Sequence, residues 1–170
     1  GYSASRVIEE IETSDPHIER RQLGVVDQDG GSAARTGSLN APWAGHVTGA
    51  NYVAMGNALV GEQVVRSMAL VFEDKGGEDL ENRLLQAILA GSDAGGEAKD
   101  STPYHSAALL VFAADSFARV DLRVDDHPAP LIELRRLLTV YKPRMRMFSL
   151  RARDPESAVP LTKNLEDIPD

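Results

Sequence analysis

The spacing of apolar side chains switches between helical and strand periods along the chain, and each switch marks an element. Over 3–14, SASRVIEEIETS, Val7, Ile8 and Ile11 share one stripe. That predicts a short amphipathic helix, capped by Ser3 or Ser5 and ended by Pro16. RQLGVVDQDGGSAARTGS reads as a β-hairpin: apolar 23–26, turn-forming DQDGG, and a second strand over 32–36. GSLNAPWAGH (37–46) has loop punctuation. VTGANYVAMGNALVG (47–61) reads as one strand running into a Gly-rich turn at Gly56-Asn57. Two helices follow. Val64, Val65, Met68, Val71 and Phe72 mark the first, over 61–74, and Leu80, Leu84, Leu85, Ile88 and Leu89 turn inward in the second, over 78–91.

A long polar loop, 91–105, separates these helices from SAALLVFAAD (106–115), apolar enough to predict a strand buried on both faces. ARVDLRVDD (118–126) alternates, and PLIELRRLLTVY (130–141) predicts the last helix. From Lys142 onward the pattern fades, which predicts a tail (142–170) lying over a surface of this chain or of a partner. Two adjacent helices between antiparallel strands do not suit a doubly wound parallel sheet. They predict an α+β fold, with sheets stacked face to face and helices outside, in one domain over 1–141.

Composition narrows the function. The net charge of −8 argues against nucleic acid or an anionic membrane as partner. The absence of cysteine excludes thiolate chemistry and disulfides. No apolar run approaches the roughly 18 residues of a membrane-spanning helix. A cytoplasmic protein is expected, although the chain starts at Gly1 rather than Met, so that any export signal would precede it.

Four polar clusters are candidates for chemistry. In VDLRVDDHP, Asp125, Asp126 and His127 end a strand. Asp126 or His127 stands where a helix cap belongs, with Pro128 or Pro130 in the first turn. No metal is expected, since His17, His46 and His105 have neither helical nor hairpin spacing to His127. RTGS and NAPWAGH crowd Thr36, Ser38, Asn40 and His46 around glycines and the only tryptophan, Trp43, which suits a pocket wall or simple packing. In MGNALVG, Gly56 allows close backbone approach and Asn57 offers an amide, the chemistry of an oxyanion hole or substrate clamp. Equally, the segment reads as a tight turn with Asn in the left-handed region. SDAGGEAKD carries Asp93, Glu97, Lys99 and Asp100 on a Gly-rich loop that lacks the ending of a phosphate-binding motif.

Taken in order, RRQLGVVDQDGGSAARTGS, PWAGHVTGANYVAMGNALVG, RLLQAILAGSDAGGEAKD, SAALLVF and VDLRVDDHPAPLIELRRLL resemble the bacterial domain-of-unknown-function 1028 proteins, assigned to the N-terminal-nucleophile (Ntn) hydrolase superfamily. The resemblance implies an αββα four-layer sandwich and an amidohydrolase acting on a small amide or peptide-like substrate, without a cofactor. In that superfamily the first residue of the mature catalytic chain attacks the carbonyl, with its own α-amino group as base. Relatives begin with a strand segment that this chain lacks, so the resemblance puts the nucleophile on a separate N-terminal fragment or second subunit, within a homo-oligomer, a dimer or larger. In this chain it implies Asn57 as oxyanion donor, Thr36 and Ser38 as holders of substrate or of the nucleophile's amine, and Trp43 as pocket wall. Asp125, Asp126 and His127 would orient polar groups. Relatives read GDRRGRQSAAL where this chain reads GGEAKDSTPYHSAAL: Glu97 replaces the Asp, the Arg pair is gone, and Lys99 and His105 are the substitutes. A ligand-binding module without catalysis, on the same sandwich, is the second expectation.

Overall fold

The computed structural model describes residues 1–98, 105–156 and 158. These form an α+β chain of helices and two-stranded antiparallel sheets. Its contacts divide into two compact units, residues 1–104 and residues 105–170.

In the first unit, α1 (Ala4–Ser14) forms as the stripe predicts, and Ser3 caps it by accepting from the Arg6 N–H. A 3-10 turn (Ile18–Arg20) leads into β1 (Gln22–Val26). This strand pairs with β2 (Ser32–Thr36) in a register running from Val26↔Ser32 to Gln22↔Thr36. Asp27 builds the turn between them. Its Oδ1 accepts from the Asp29 and Gly31 N–H groups, and its Oδ2 accepts from the Ala4 N–H at 2.9 Å. The Ala4 bond, followed by that from Gly31, holds this carboxyl below the usual carboxylate range. A carboxylate at the first turn of α1 also complements the helix dipole.

The segment 47–61 is not the single strand that its pattern suggests. It contains β3 (Gly45–Gly49, which begins two residues earlier) and β4 (Tyr52–Gly56), paired from Gly49↔Tyr52 to Gly45↔Gly56. The hairpin turn is Ala50-Asn51, with Asn51 at φ 66°. Asn is one of the few residues that enters this region at little cost, so a single side chain makes a turn that hydropathy does not register. After β4 the left-handed residue is Ala58 (φ 54°), not Asn57.

Helix α2 (Gln63–Asp74) packs on β3 and β4, and α3 (Leu80–Asp93) packs on α2. Tyr52, Ala54, Ala69, Phe72 and Ala87 form one core cluster; Leu59, Val64 and Val65 form another, with Trp43 and Val47 against it. Leu80 and Ile88 are exposed rather than inward. Leu84 and Leu85 face inward as expected, and because α3 docks on α2 its buried face also carries Glu81, Ala87 and Gly91. Arg83 ties the two helices: its guanidinium donates to the Phe72 carbonyl and lies 3.9 Å from the Phe72 ring centroid. Helix α1 packs on β1 and β2, and the two hairpins pack on each other. Gly24 permits that approach, since a Cβ there would sit 2.9 Å from Val53 Cγ1.

In the second unit, β5 (Ala107–Phe112) pairs with β6 (Ala118–Val124), and α4 (Pro130–Arg153) packs on both. Leu109, Val111, Val120 and Val124 are buried, as are Leu131, Leu134 and Leu138 of α4. Burial of β5 on both faces is not observed. Strand alternation turns Leu110 and Phe112 to the opposite face, where they are 56% and 58% exposed. Pro130 begins α4 as expected, but the cap position is Ala129, not Asp126 or His127, and it makes no side-chain cap bond. The helix also runs beyond 141. Residues 142–153 include good helix formers, and the rings of Tyr141 and Phe148 stack at 6.0 Å. The Tyr141 hydroxyl donates to the Arg119 carbonyl, and Arg153 pairs with Asp115, so the hairpin holds both halves of the helix. Among the described residues, no helix is long and apolar enough to cross a membrane.

Leu134 is 1% exposed. Leu134→Ala is expected to lower the unfolding free energy by about 2–5 kcal/mol, whereas Ile132→Ala on the exposed face of α4 should change it by at most about 0.5 kcal/mol. Urea denaturation of the two variants beside wild type measures both.

Candidate functional site

Pairing in β1–β2 sets Gln22 opposite Thr36, and side chains of directly opposed residues share a face. The carboxamide of Gln22 reaches across to the second hairpin. Its Nε2 donates to the carbonyls of Gly56 (2.8 Å) and Gly45 (3.1 Å), and lies 3.2 Å from the Thr36 hydroxyl. Its Oε1 accepts from Asn57 Nδ2 at 3.1 Å. Two carbonyls can only accept, so they fix which end of this amide is nitrogen. Thr36 Oγ1 in turn lies 2.8 Å from His46 Nδ1.

Residues 37–46 are tied down by backbone and side-chain bonds. The Asn40 amide donates to the carbonyls of Arg21 and Gly37, and the Trp43 N–H and carbonyl bond to Leu59. The Trp43 ring lies over Gly45, where a Cβ would sit 2.2 Å from its edge. The result is an open cleft of about 550 Å³, walled by Thr36, Ser38, Asn40, Trp43, His46 and Glu62. Trp43 is therefore both pocket wall and packed side chain, and the two readings of its loop hold together.

One rim of the cleft rests on charge. Arg35 donates to Glu12 (2.6 Å), to the Ile18 carbonyl (3.1 Å) and to Glu19 (2.5 Å). Glu19 Oε2 accepts from both the N–H (2.9 Å) and the hydroxyl (2.7 Å) of Ser38. The two Ser38 bonds, and then the Arg35 guanidinium, hold the Glu19 carboxyl down to about 2. Ser38 thus spends its hydroxyl hydrogen on Glu19 and offers a ligand only acceptor lone pairs.

Asn57 is exposed and stands outside the residues that wall the cleft, with one amide hydrogen on Gln22 and the other free to donate. Asp93 closes α3, and Glu97 forms an isolated backbone bridge with Leu59; neither lines the cleft. Lys99 and Asp100 lie outside the described residues.

The second unit gathers the other expected residues. Continuation of the β5–β6 register places His105 across from Asp126, with Nδ1 2.9 Å from Oδ1, and the His127 N–H donates to the His105 carbonyl. The hairpin partner of His105 is thus Asp126, the residue before His127. His127 Nδ1 accepts from the Ala129 N–H, and Asp125 accepts from Arg123, whose pKa this bond raises. Each side chain of Asp125-Asp126-His127 makes one local bond, the arrangement of a structural turn between β6 and α4. Among the described residues, no three His, Asp or Glu side chains are grouped as a metal would require.

Sequence reasoning missed Gln22, Glu19 and Glu62. Gln22 was accessible: counting outward from the DQDGG turn pairs it with Thr36. Glu19 carried no such signal, because its partners come from a separate strand and loop.

A family model described as "Family of unknown function (DUF1028)" matches residues 1–134. A crystal structure of a Silicibacter pomeroyi protein, itself described with that family model, is similar to this chain, with 33% identity and a TM-score of 0.72. The match covers 84% of this chain and 61% of that one, so the chain spans less than two thirds of the length of this relative. No curated protein matches the chain.

Two outcomes follow from this geometry. Gln22→Leu removes the donor to the Gly45 and Gly56 carbonyls and should destabilise the protein by about 1–3 kcal/mol, read as a lower urea midpoint. Glu19, with its folded pKa depressed from 4.5 to about 2, stabilises the fold fully above pH 4.5 and loses that contribution as pH falls toward 2. Glu19→Gln should flatten the acid branch of the stability profile in that window, measured by denaturation at stepped pH.

Proposed function

Since the chain belongs to the family of unknown function DUF1028, we propose that its cleft is the substrate side of an amide-hydrolysing site, acting on a small amide or peptide-like molecule. The observation that carries this reading is the amide chain from Asn57 through Gln22 to Thr36, whose Thr36 end walls a cleft together with the only tryptophan. It leaves one Asn57 N–H free to meet a developing oxyanion, from a carboxamide already held in place. Trp43 supplies an apolar wall for the substrate, and Thr36 and His46 supply a hydroxyl and a base. The reading includes the Ntn-hydrolase-like four-layer arrangement. Its support is the pairing of α1 with β1–β2, of the hairpins with each other, and of α2 with β3–β4.

The resemblance puts the nucleophile on a preceding segment; the reaction class does not depend on which residue attacks. A further segment or second copy of the chain is part of the reading, and the open apolar face at Leu110 and Phe112 gives it a surface to cover. Roles for Asp125, His127 and His105 have less support, because each side chain already makes a bond within the turn.

The test is turnover of a panel of N-acyl amino acids, dipeptides and amino-acid anilides. Wild type is expected to hydrolyse at least one member. Asn57→Ala should lower kcat by about 100-fold while calorimetry still detects binding. Binding without turnover by wild type would replace the amidohydrolase with the non-catalytic binding module.

A further inference from the structure

Two hydroxyls wall the cleft, and their partners differ. Ser38 donates to Glu19, a carboxylate held near 2 and hence a poor proton acceptor. Thr36 sits beside an imidazole nitrogen, by nature a stronger base. The direction of the Thr36 bond follows from its neighbours. Gln22 Nε2 has donors only and cannot accept the Thr36 hydrogen, which leaves His46 Nδ1, 2.8 Å away, as the acceptor among the partners of Thr36 Oγ1. His46 is then the tautomer protonated at Nε2, with Nδ1 open as a base.

The geometry points to Thr36 as an acyl-accepting nucleophile carried by this chain, with His46 as its general base. The inference rests on the amide-hydrolysis reading for the location of the site, and it supplies the attacking group from within residues 1–170. A hydroxyl bonded to a base at the edge of a substrate-sized cleft is the arrangement that activates a weak nucleophile. β2 and β3 hold the two groups on rigid strands, Thr36 as the last residue of one and His46 as the second residue of the other. Gln22 Nε2 lies 3.2 Å from the hydroxyl.

The step balances. Thr36 Oγ1 bonds to the acyl carbon as its proton passes to His46 Nδ1. The C–N bond breaks, and the amine leaves with that proton. Water then attacks the Thr36 ester and gives a proton to His46 Nδ1. The C–Oγ1 bond breaks, the acid departs, and the proton returns to Thr36.

p-Nitrophenyl acetate, a small activated ester, tests the pair directly. The full chain is treated with it, and the product is read by intact mass and peptide mapping. Wild type is expected to carry a hydroxylamine-labile acetyl group on Thr36. Thr36→Ser should keep the label, Thr36→Val should lose it, and His46→Gln should slow acetylation by about 100-fold or more. Circular dichroism confirms that each variant is folded, and Thr36→Ser keeps the test decisive should Thr36→Val not fold. A label elsewhere, or unchanged acetylation of folded Thr36→Val, overturns the assignment. The amide panel separates the two readings. Amide turnover that survives Thr36→Val sinks this nucleophile and leaves the amidohydrolase standing. His46-dependent acetylation of Thr36 without any amide turnover does the reverse.

Discussion

The carboxamide of Gln22 is the interaction on which the rest of the cleft depends. It is the one described side chain that bonds to both ends of the β3–β4 hairpin, at Gly45 and Gly56, while standing on β1. Gly45 and Gly56 face each other as the end pair of that hairpin, and a carbonyl with two lone pairs can accept a further donor. Gln22 supplies that donor through its two Nε2 hydrogens, its Oε1 accepts from Asn57, and its Nε2 lies 3.2 Å from the Thr36 hydroxyl. Each such bond contributes only about 1 kcal/mol net, yet leaving the groups unmet costs more. A single neutral side chain therefore sets the mutual position of two hydroxyl- and amide-bearing strand ends.

Charge does the corresponding work on the opposite rim. Arg35 gathers Glu12, Glu19 and the Ile18 carbonyl, which fastens the segment after α1 to β2. Glu19 then fixes Ser38 through two bonds. In a chain of net charge −8, a guanidinium shared by two carboxylates relieves repulsion locally as well as setting geometry. The two hydroxyls of the cleft are separated chemically by this arrangement, one facing a carboxylate and the other an imidazole.

Much of the fold could be read from the residues alone, and the limits have physical causes. Helix α1, the β1–β2 hairpin, α2, the start of α4 and the β5–β6 strands follow directly from periodicity and turn residues. The β3–β4 turn does not, because one Asn in the left-handed region leaves no mark on hydropathy. The second half of α4 does not, because its stability rests on contacts with β5–β6 and their connection rather than on an apolar stripe. On α3, Leu84 and Leu85 face inward as the pattern suggests, whereas Leu80 and Ile88 do not, for a related reason: the helix docks on another helix, not on a sheet.

The candidate site divides along the same line. The residue types at Thr36, Ser38, Trp43, His46 and Asn57 already stand out in the sequence, since polar groups among glycines beside a lone tryptophan are chemically unusual. Which of them meet is settled by tertiary structure. Thr36 and His46 are brought within 2.8 Å by two strands from different hairpins, Ser38 is diverted to Glu19, and Asp125-Asp126-His127 closes on itself as a turn. Local sequence dictates period, turn and cap because these depend on neighbours a few residues away. A hydrogen bond between residues distant in sequence depends on how hairpins dock, and docking is decided by packing over the whole unit.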